Sequence, residues 1–246
     1  MNLSVRRRVP CLRPVLAFGI TALLLSAALG GTADAGAVTT ASVLKAAKTA
    51  IAEQTGVHVV FDANSSSSST HEKLIADVGA TTGTENVSEG KSVLAVRVNP
   101  AFAYVSGNQS GLAALFGLSA KDAKKLGADW ESWKSGTAQY ANLKADVTFA
   151  AVTALLPTPK GTKLSTDISN GTRFYVLKWT TAGTSSEPEL SNTLTLSTGG
   201  AILPTEETTT APGGAKLTTV LSDWGEQVVV ATPPVASTVA SAQVAG

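Results

Sequence analysis

The spacing of hydrophobic residues changes several times along the chain, and these changes divide it into successive helical and extended segments. Residues 40–55 predict an amphipathic helix, because their apolar residues recur at helical spacing along one stripe, formed by Val43, Leu44, Ala47, Ala50 and Ile51. Ser42 is the expected N-cap of this helix, and Gly56 is the expected stop.

From residue 57 the hydrophobic period changes from helical to alternating, which is typical of strands. The serine-rich stretch 64–70 predicts a solvated hairpin loop. In the segment 92–98, Leu94, Val96 and Val98 fall on one face, so a sheet covered on one side is expected. The strands predicted in this part of the chain are 57–61, 71–78, 83–87, 92–98 and 101–105.

A helical stretch follows the strand 101–105. Residues 111–116 predict a short helix, and Ser119 begins a second helix that Gly127 can end. A third helix is predicted over 140–156 and closed by Pro157, because apolar residues again recur at helical spacing. These residues are Leu143, Val147, Ala150, Ala151, Ala154 and Leu155.

The chain then returns to strands. Asn170-Gly171 predicts a type I′ hairpin turn between 163–169 and 172–180, since both residue types tolerate a positive φ. The order of helix, strands, helices and strands predicts an α+β fold with an antiparallel sheet and with helices gathered on one face. The remaining predicted strands are 192–197, 216–223 and 226–232.

The two ends of the chain carry further expectations. Residues 1–35 have the features of a secretory signal peptide: an arginine-rich start, an apolar run from Val15 to Leu29 and a small-x-small cleavage signal that ends at Ala35. Residues 36–234 are expected to form one domain, and residues 235–246 a disordered tail. We therefore expect a protein that is secreted or retained in the cell envelope.

The single cysteine, Cys11, lies within the segment to be removed. The mature chain would then have no disulfide, no thiol nucleophile and no cysteine for a bacterial lipid anchor at the cleavage point. Removal of residues 1–35 takes away four Arg and one Asp, so that 19 basic and 18 acidic residues become 15 and 17, a formal charge of −2. A nearly neutral chain without a basic cluster argues against nucleic-acid binding.

Residues suited to catalysis are few in this sequence. The two histidines, His58 and His71, each fall in a predicted strand without the motif of a hydrolytic triad. Ser110 lies in the stretch 107–111, whose spacing departs from a nucleophile elbow and is explained by helix capping. Motifs for phosphate, dinucleotide, zinc or calcium binding do not occur. We expect no enzyme activity, no cofactor and no metal site.

Several segments of the mature chain carry a family resemblance: 57–59, 103–108 leading into 112–117, 130–132, 147–156 and the closing stretch 221–228. In these patterns the chain resembles the lipoprotein-carrier (LolA/LolB) superfamily, and within it the actinobacterial LppX/LprG-like envelope lipid-binding proteins. The likeness runs from the first helix to Pro234, and the closing stretch is similar to the final hairpin of the family.

The resemblance implies a curved antiparallel half-barrel with helices packed in its concave face, and a hydrophobic cavity between the two layers. The same residues would otherwise fill each other's gaps in a dry core, and sequence periodicity does not separate a lined cavity from a packed one. The implied cavity lining is Leu94, Val96, Phe102 and Tyr104 from the sheet, Leu112, Leu115, Phe116 and Leu118 from a helical lid, and Val152, Leu155 and Leu156 from the next helix.

These observations leave alternative functions open. The resemblance implies non-enzymatic binding and carriage of a lipid or lipid-like amphiphile. We further expect a monomer that contacts the envelope membrane transiently. Because no cysteine can anchor the mature chain, a freely diffusing carrier is more natural than a membrane-tethered one. The same fold without a cavity would serve as a protein-interaction module of the envelope. A hydrolase would require a histidine within hydrogen-bond reach of a serine and a carboxylate.

Overall fold

The computed structural model describes residues 38–64, 71–183 and 188–244 of the 246-residue chain. The predicted signal peptide and residues 65–70 of the predicted loop lie outside these ranges. None of the described helices is long and apolar enough to cross a membrane. The helices are α1 Thr40–Ala52, α2 Gln109–Gly111, α3 Ala120–Leu126, α4 Ala138–Asp146, α5 Phe149–Thr153 and α6 Ser241–Val244, with a π-helical turn at Leu112–Phe116 and a 3₁₀ turn at Val235–Ser237.

The strands form one 12-stranded sheet in the order β12-β6-β5-β4-β3-β2-β1-β11-β10-β9-β8-β7. They are β1 Gly56–Asn64, β2 Glu72–Gly79, β3 Gly83–Glu89, β4 Ser92–Val98, β5 Phe102–Gly107, β6 Trp130–Lys134, β7 Lys163–Ser169, β8 Thr172–Thr181, β9 Leu190–Ser197, β10 Pro204–Thr210, β11 Lys216–Ser222 and β12 Thr238–Ala240. Neighbouring strands are antiparallel except β12, which runs parallel to β6. The sheet is not closed, and the predicted α+β class with a half-barrel sheet is confirmed.

Helix α1 begins with a reciprocal cap. The hydroxyl of Thr39 accepts the backbone N–H of Ser42 at 3.1 Å, and the hydroxyl of Ser42 accepts the N–H of Thr39 at 3.0 Å. The N-cap is therefore Thr39 rather than the predicted Ser42, which is the third residue of the same capping box. The predicted apolar stripe is confirmed, since all of its residues are buried: Val43, Leu44, Ala47, Ala50 and Ile51.

The helices lie against one face of the sheet, which we call the inner face. Residues directly opposite each other on antiparallel strands share a face, and β4 pairs with β5 as Val96↔Val105 and Val98↔Ala103. The predicted inward orientation of Leu94, Val96 and Val98 is confirmed, because all three are buried in the first hydrophobic core. This core joins β1–β6 to the helical stretch between β5 and β7. A second core packs Val43, Leu44 and Ala47 of α1 against Leu177, Leu194 and Leu196 of β8 and β9.

The turn between β7 and β8 has the predicted residues in the predicted conformation. Asn170 and Gly171 have φ angles of 50° and 78°, and Ser169 pairs with Thr172 across the turn. The hairpin prediction is confirmed because an Asn-Gly pair adopts two successive positive φ angles at low cost.

The helix predicted over 140–156 is interrupted, and α4 and α5 form in its place. The chain leaves the helical conformation at Val147, and Thr148 then forms a parallel bridge with Gly79 of β2. The hydroxyl of Thr148 donates to the carbonyl of Lys144 at 2.8 Å, in place of the helical N–H bond. Backbone pairing with the sheet therefore interrupts a pattern that is helical by spacing alone.

After β11 the chain crosses the outer face instead of forming the expected strand 226–232. Arg97 of β4 donates to the carbonyl of Ala231 at 3.1 Å, and Asn99 donates to Thr232 at 3.5 Å. Strand β12 then pairs with the otherwise open edge of β6. The segment 235–244 thus differs from the disordered tail expected over 235–246, because the unpaired groups of β6 offer it hydrogen-bond partners.

The close approach of α4 to β3 is testable at Gly83. Gly83→Ala should lower the free energy of unfolding by about 1–3 kcal/mol, because a Cβ there would overlap the carbonyl oxygen of Val147. Gly199→Ala is the matched control, since no atom lies within 4 Å of a Cβ at that position, and it should change stability by less than about 1 kcal/mol. Urea unfolding measures both, and equal effects would contradict this packing.

Candidate functional site

The inner face brings together most of the residues predicted to line a cavity, in two groups. Five of them belong to the first hydrophobic core and form its buried floor: Leu94, Val96, Leu112, Phe116 and Val152. Their exposure is 4 % or less, and the ring of Phe116 lies 5.4 Å from that of Trp133. These side chains pack against one another, as in the dry-core alternative.

The second group, Leu115, Leu118, Leu155 and Leu156, is only partly buried. Together with the partly buried Phe61, we call these residues the apolar margin. All five pack against the first hydrophobic core while keeping part of their surface in solvent. Leu156 also contacts the second core, so it lies between α1 and the other helices. Phe61 was missed by sequence reasoning, although its alternation with Val57 and Val59 on β1 indicates the inner face.

Phe102 and Tyr104 do not share the face of Leu94 and Val96, and that part of the prediction is wrong. Tyr104 lies opposite Arg97, which points to the outer face. The turn before β5 determines which residues of β5 face the helices. The side chain of Asn99 accepts the N–H of Phe102 at 2.8 Å, and pairing with β4 resumes at Ala103. Phe102 and Tyr104 form a ring pair on the outer face, with centroids 5.9 Å apart.

Two hollows among the described residues lie away from the predicted lining. One is an open groove of about 440 Å³ along α4, lined by Gly136, Thr137, Tyr140, Ala141, Lys144, Ala145, Thr148 and Ala150. The other, of about 240 Å³, lies beneath the C-terminal segment and is lined by Val57, Asp77 and residues 226–229. Neither of these two hollows is lined by a residue of the predicted cavity.

Carboxyl groups on the inner face are the functional candidates that sequence reasoning missed. Glu131 lies opposite Val105, is 4 % exposed, and its Oε2 has no hydrogen-bond partner within the described ranges. Burial raises its pKa to about 7, and the neighbouring charge of Asp122 adds to the rise. Burial likewise raises the pKa of Glu207 on β10 to about 7. Both residues lie on strands that the sequence pattern did not predict, β6 and β10, so alternation along the chain did not assign them to a face.

The two histidines pair with carboxylates: His58 is partly exposed on β1, and His71 is exposed directly before β2. His58 Nδ1 is 2.7 Å from Asp77 Oδ1, and His71 Nε2 is 2.9 Å from Asp62 Oδ1. The hydrogen bonds of these two rings in the described part of the chain do not include a serine, which a hydrolytic triad requires. Within residues 38–64, 71–183 and 188–244, no group of three or more His, Cys, Asp or Glu side chains could hold a metal ion.

Comparison with known proteins finds similarity in structure. No family model matches the chain, and no curated protein matches it in sequence. The lipoprotein LppX of Mycobacterium tuberculosis is 14 % identical, with a TM-score of 0.46 over 78 % of this chain and 98 % of LppX. LprF of Mycobacterium bovis is 17 % identical, with a TM-score of 0.47 over 79 % of this chain and 96 % of LprF. A DUF1329 family protein of Desulfovibrio piger is 8 % identical, with a TM-score of 0.32 over 78 % and 95 %. At these identities the likeness concerns the fold alone.

The buried Glu131 should make stability depend on pH. Its pKa is higher in the folded chain than the ordinary 4.5, so its contribution is fully present below about pH 4.5 and is lost as the pH rises to about 7. The amide in Glu131→Gln does not ionise, so this variant does not lose that stability as the pH rises. Relative to the unmodified protein, the variant should gain on the order of 2–3 kcal/mol between pH 4.5 and 8 in urea unfolding.

The control for this measurement is Glu206→Gln, which removes an exposed carboxyl from the outer face. Its stability should follow that of the unmodified protein across the same pH range. If the stability of Glu131→Gln has the same pH dependence as that of the unmodified protein, the carboxyl of Glu131 is not held in a desolvated position.

Proposed function

We propose that this protein binds the acyl chain of a lipid or lipid-like amphiphile between the inner face of the sheet and its helices, and carries it without chemical change. The observation that supports this proposal best is the apolar margin, where partly buried apolar side chains pack against the first hydrophobic core. An acyl chain laid along the margin would remove both its own surface and that of the leucines from water.

Burial of the acyl chain supplies the free energy that would offset the cost of parting the packed layers. A chain of about sixteen carbons gains roughly 12 kcal/mol if it is fully buried, at about 0.8 kcal/mol per CH₂. The layer that must move consists of short elements: α2 has 3 residues, the π-helical turn 5 and α5 5. Such elements make few internal hydrogen bonds, so they can shift as units without breaking a long helix.

The setting in which the protein works is part of the proposal. The predicted signal peptide would direct export of the chain, and its removal would also remove the single cysteine, Cys11. We therefore place the protein outside the cytoplasm or in the cell envelope, as a diffusible monomer that contacts a membrane only while it loads or releases its ligand.

A second candidate, an envelope protein-interaction module, is favoured by a specific feature of the outer face. Val60 pairs with both Val220 and Ile75, so the three residues form one row across β11, β1 and β2. Val220 is 41 % exposed and Ile75 is 36 % exposed. A contiguous apolar row on the face opposite the helices suits protein contact better than ligand enclosure.

The margin can be tested with a charge on one helical turn. Leu115→Asp should reduce binding of a fluorescent acyl probe at least tenfold, because a carboxylate on the margin opposes an apolar chain. Ala114→Asp is the matched control: it places the same charge on the adjacent exposed residue and should leave binding unchanged. Probe titration measures affinity, and circular dichroism confirms that each variant remains folded.

Other outcomes of this titration would contradict the proposal. Equal affinity in the two variants would remove the margin as the binding surface. No probe binding by the unmodified protein, together with loss of a protein partner in Ile75→Asp, would favour the interaction module.

A further inference from the structure

One part of the inner face combines polar and apolar groups in a single row. Phe61 of β1 lies opposite Thr219 of β11, Thr219 lies opposite Glu207 of β10, and Glu207 lies opposite Leu194 of β9. Direct partners share a face, so all four side chains point to the side of the helices. Leu194 is fully buried under α1, whereas Phe61, Thr219 and Glu207 are only partly buried. The row thus runs from a covered core to the apolar margin.

Glu207 is the carboxyl group of this row. Within the part of the chain that the structure describes, its side chain has no hydrogen bond and no ion pair. Thr209, on the same strand, already donates its hydroxyl hydrogen bond to the side chain of Asn192 at 2.8 Å. A half-buried carboxyl that has no partner among the described residues, beside an apolar surface, is available to a ligand.

The charges around Glu207 do not neutralise it. Its sheet neighbours are Leu194 and Thr219, and the lysines of α1, Lys45 and Lys48, are exposed. Burial is the sole cause of its raised pKa, about 7, so no described cation stabilises the carboxylate. The site therefore disfavours a second negative charge, while either form of the carboxyl accepts a hydrogen bond from a hydroxyl group.

Resting on the proposed function, we infer that Glu207 receives the polar end of the bound amphiphile, together with the hydroxyl of Thr219, and selects an uncharged hydroxyl-bearing group over an anionic one. The acyl chain would extend from this point along Phe61 and the rest of the apolar margin. The ligand class is thus a neutral amphiphile with free hydroxyl groups, such as an acylglycerol, rather than a fatty-acid anion.

The experiment compares a monoacylglycerol with the fatty acid of the same chain at pH 8, each competing with a fluorescent acyl probe. The unmodified protein should prefer the monoacylglycerol. Glu207→Gln should reduce the ratio of the two affinities by roughly tenfold, chiefly by strengthening fatty-acid binding, because it removes the like charge. Thr219→Val should weaken monoacylglycerol binding severalfold and leave fatty-acid binding unchanged.

The matched control is Glu206→Gln, which removes the same charge from the adjacent residue on the outer face and should keep the ratio of the unmodified protein. An unchanged ratio in Glu207→Gln, or an equal change in Glu206→Gln, overturns the role of Glu207 while leaving amphiphile binding in place. If the unmodified protein binds neither amphiphile, the proposed function itself fails.

Discussion

The structure depends on a mismatch between a wide apolar sheet and the few short helices that cover it. Twelve strands at a spacing of about 4.8 Å span roughly 50 Å. Helix α1, with 13 residues, is about 20 Å long, and the other helices are shorter. Complete burial of the inner face is therefore not achieved. The helices form two cores, and the apolar margin remains where coverage ends.

The same constraint explains how the sheet edge and the outer face are arranged. An open sheet leaves unpaired backbone groups at its ends, and β12 satisfies those of β6 after the C-terminal segment has crossed the outer face. The mismatch also leaves carboxyl groups such as Glu131 and Glu207 between the layers with raised pKa values. A core built only for stability has no use for such groups, since each charge costs free energy on burial.

Much of the fold could be predicted from the sequence because local rules decide it. The alternation of Leu94, Val96 and Val98 gave the buried face of β4, and Asn170-Gly171 gave a hairpin with its conformation. The face of the sheet on which Tyr104 lies could not be predicted in this way, because the number of residues in the preceding turn determines it. The break at Thr148 arises from a bridge to Gly79, which is distant in sequence.

The candidate site was predictable to a smaller extent, for a physical reason. Periodicity identifies apolar residues that avoid water, but Leu112 in the packed floor and Leu115 in the margin satisfy it equally. Only the relative placement of helices and strands separates them. Glu131 and Glu207 were not placed on the inner face because the sequence pattern predicted no strand where β6 and β10 form.

The central claim is that an acyl chain lies on the inner face, and methyl NMR with a monoacylglycerol carrying a nitroxide near the end of its chain tests it directly. The account predicts paramagnetic broadening of the methyl groups of Leu115, Leu118, Leu155 and Leu156, with sharp signals from Ile75 and Val220 on the outer face. Broadening confined to Ile75 and Val220, or no broadening at saturating amphiphile, would contradict it.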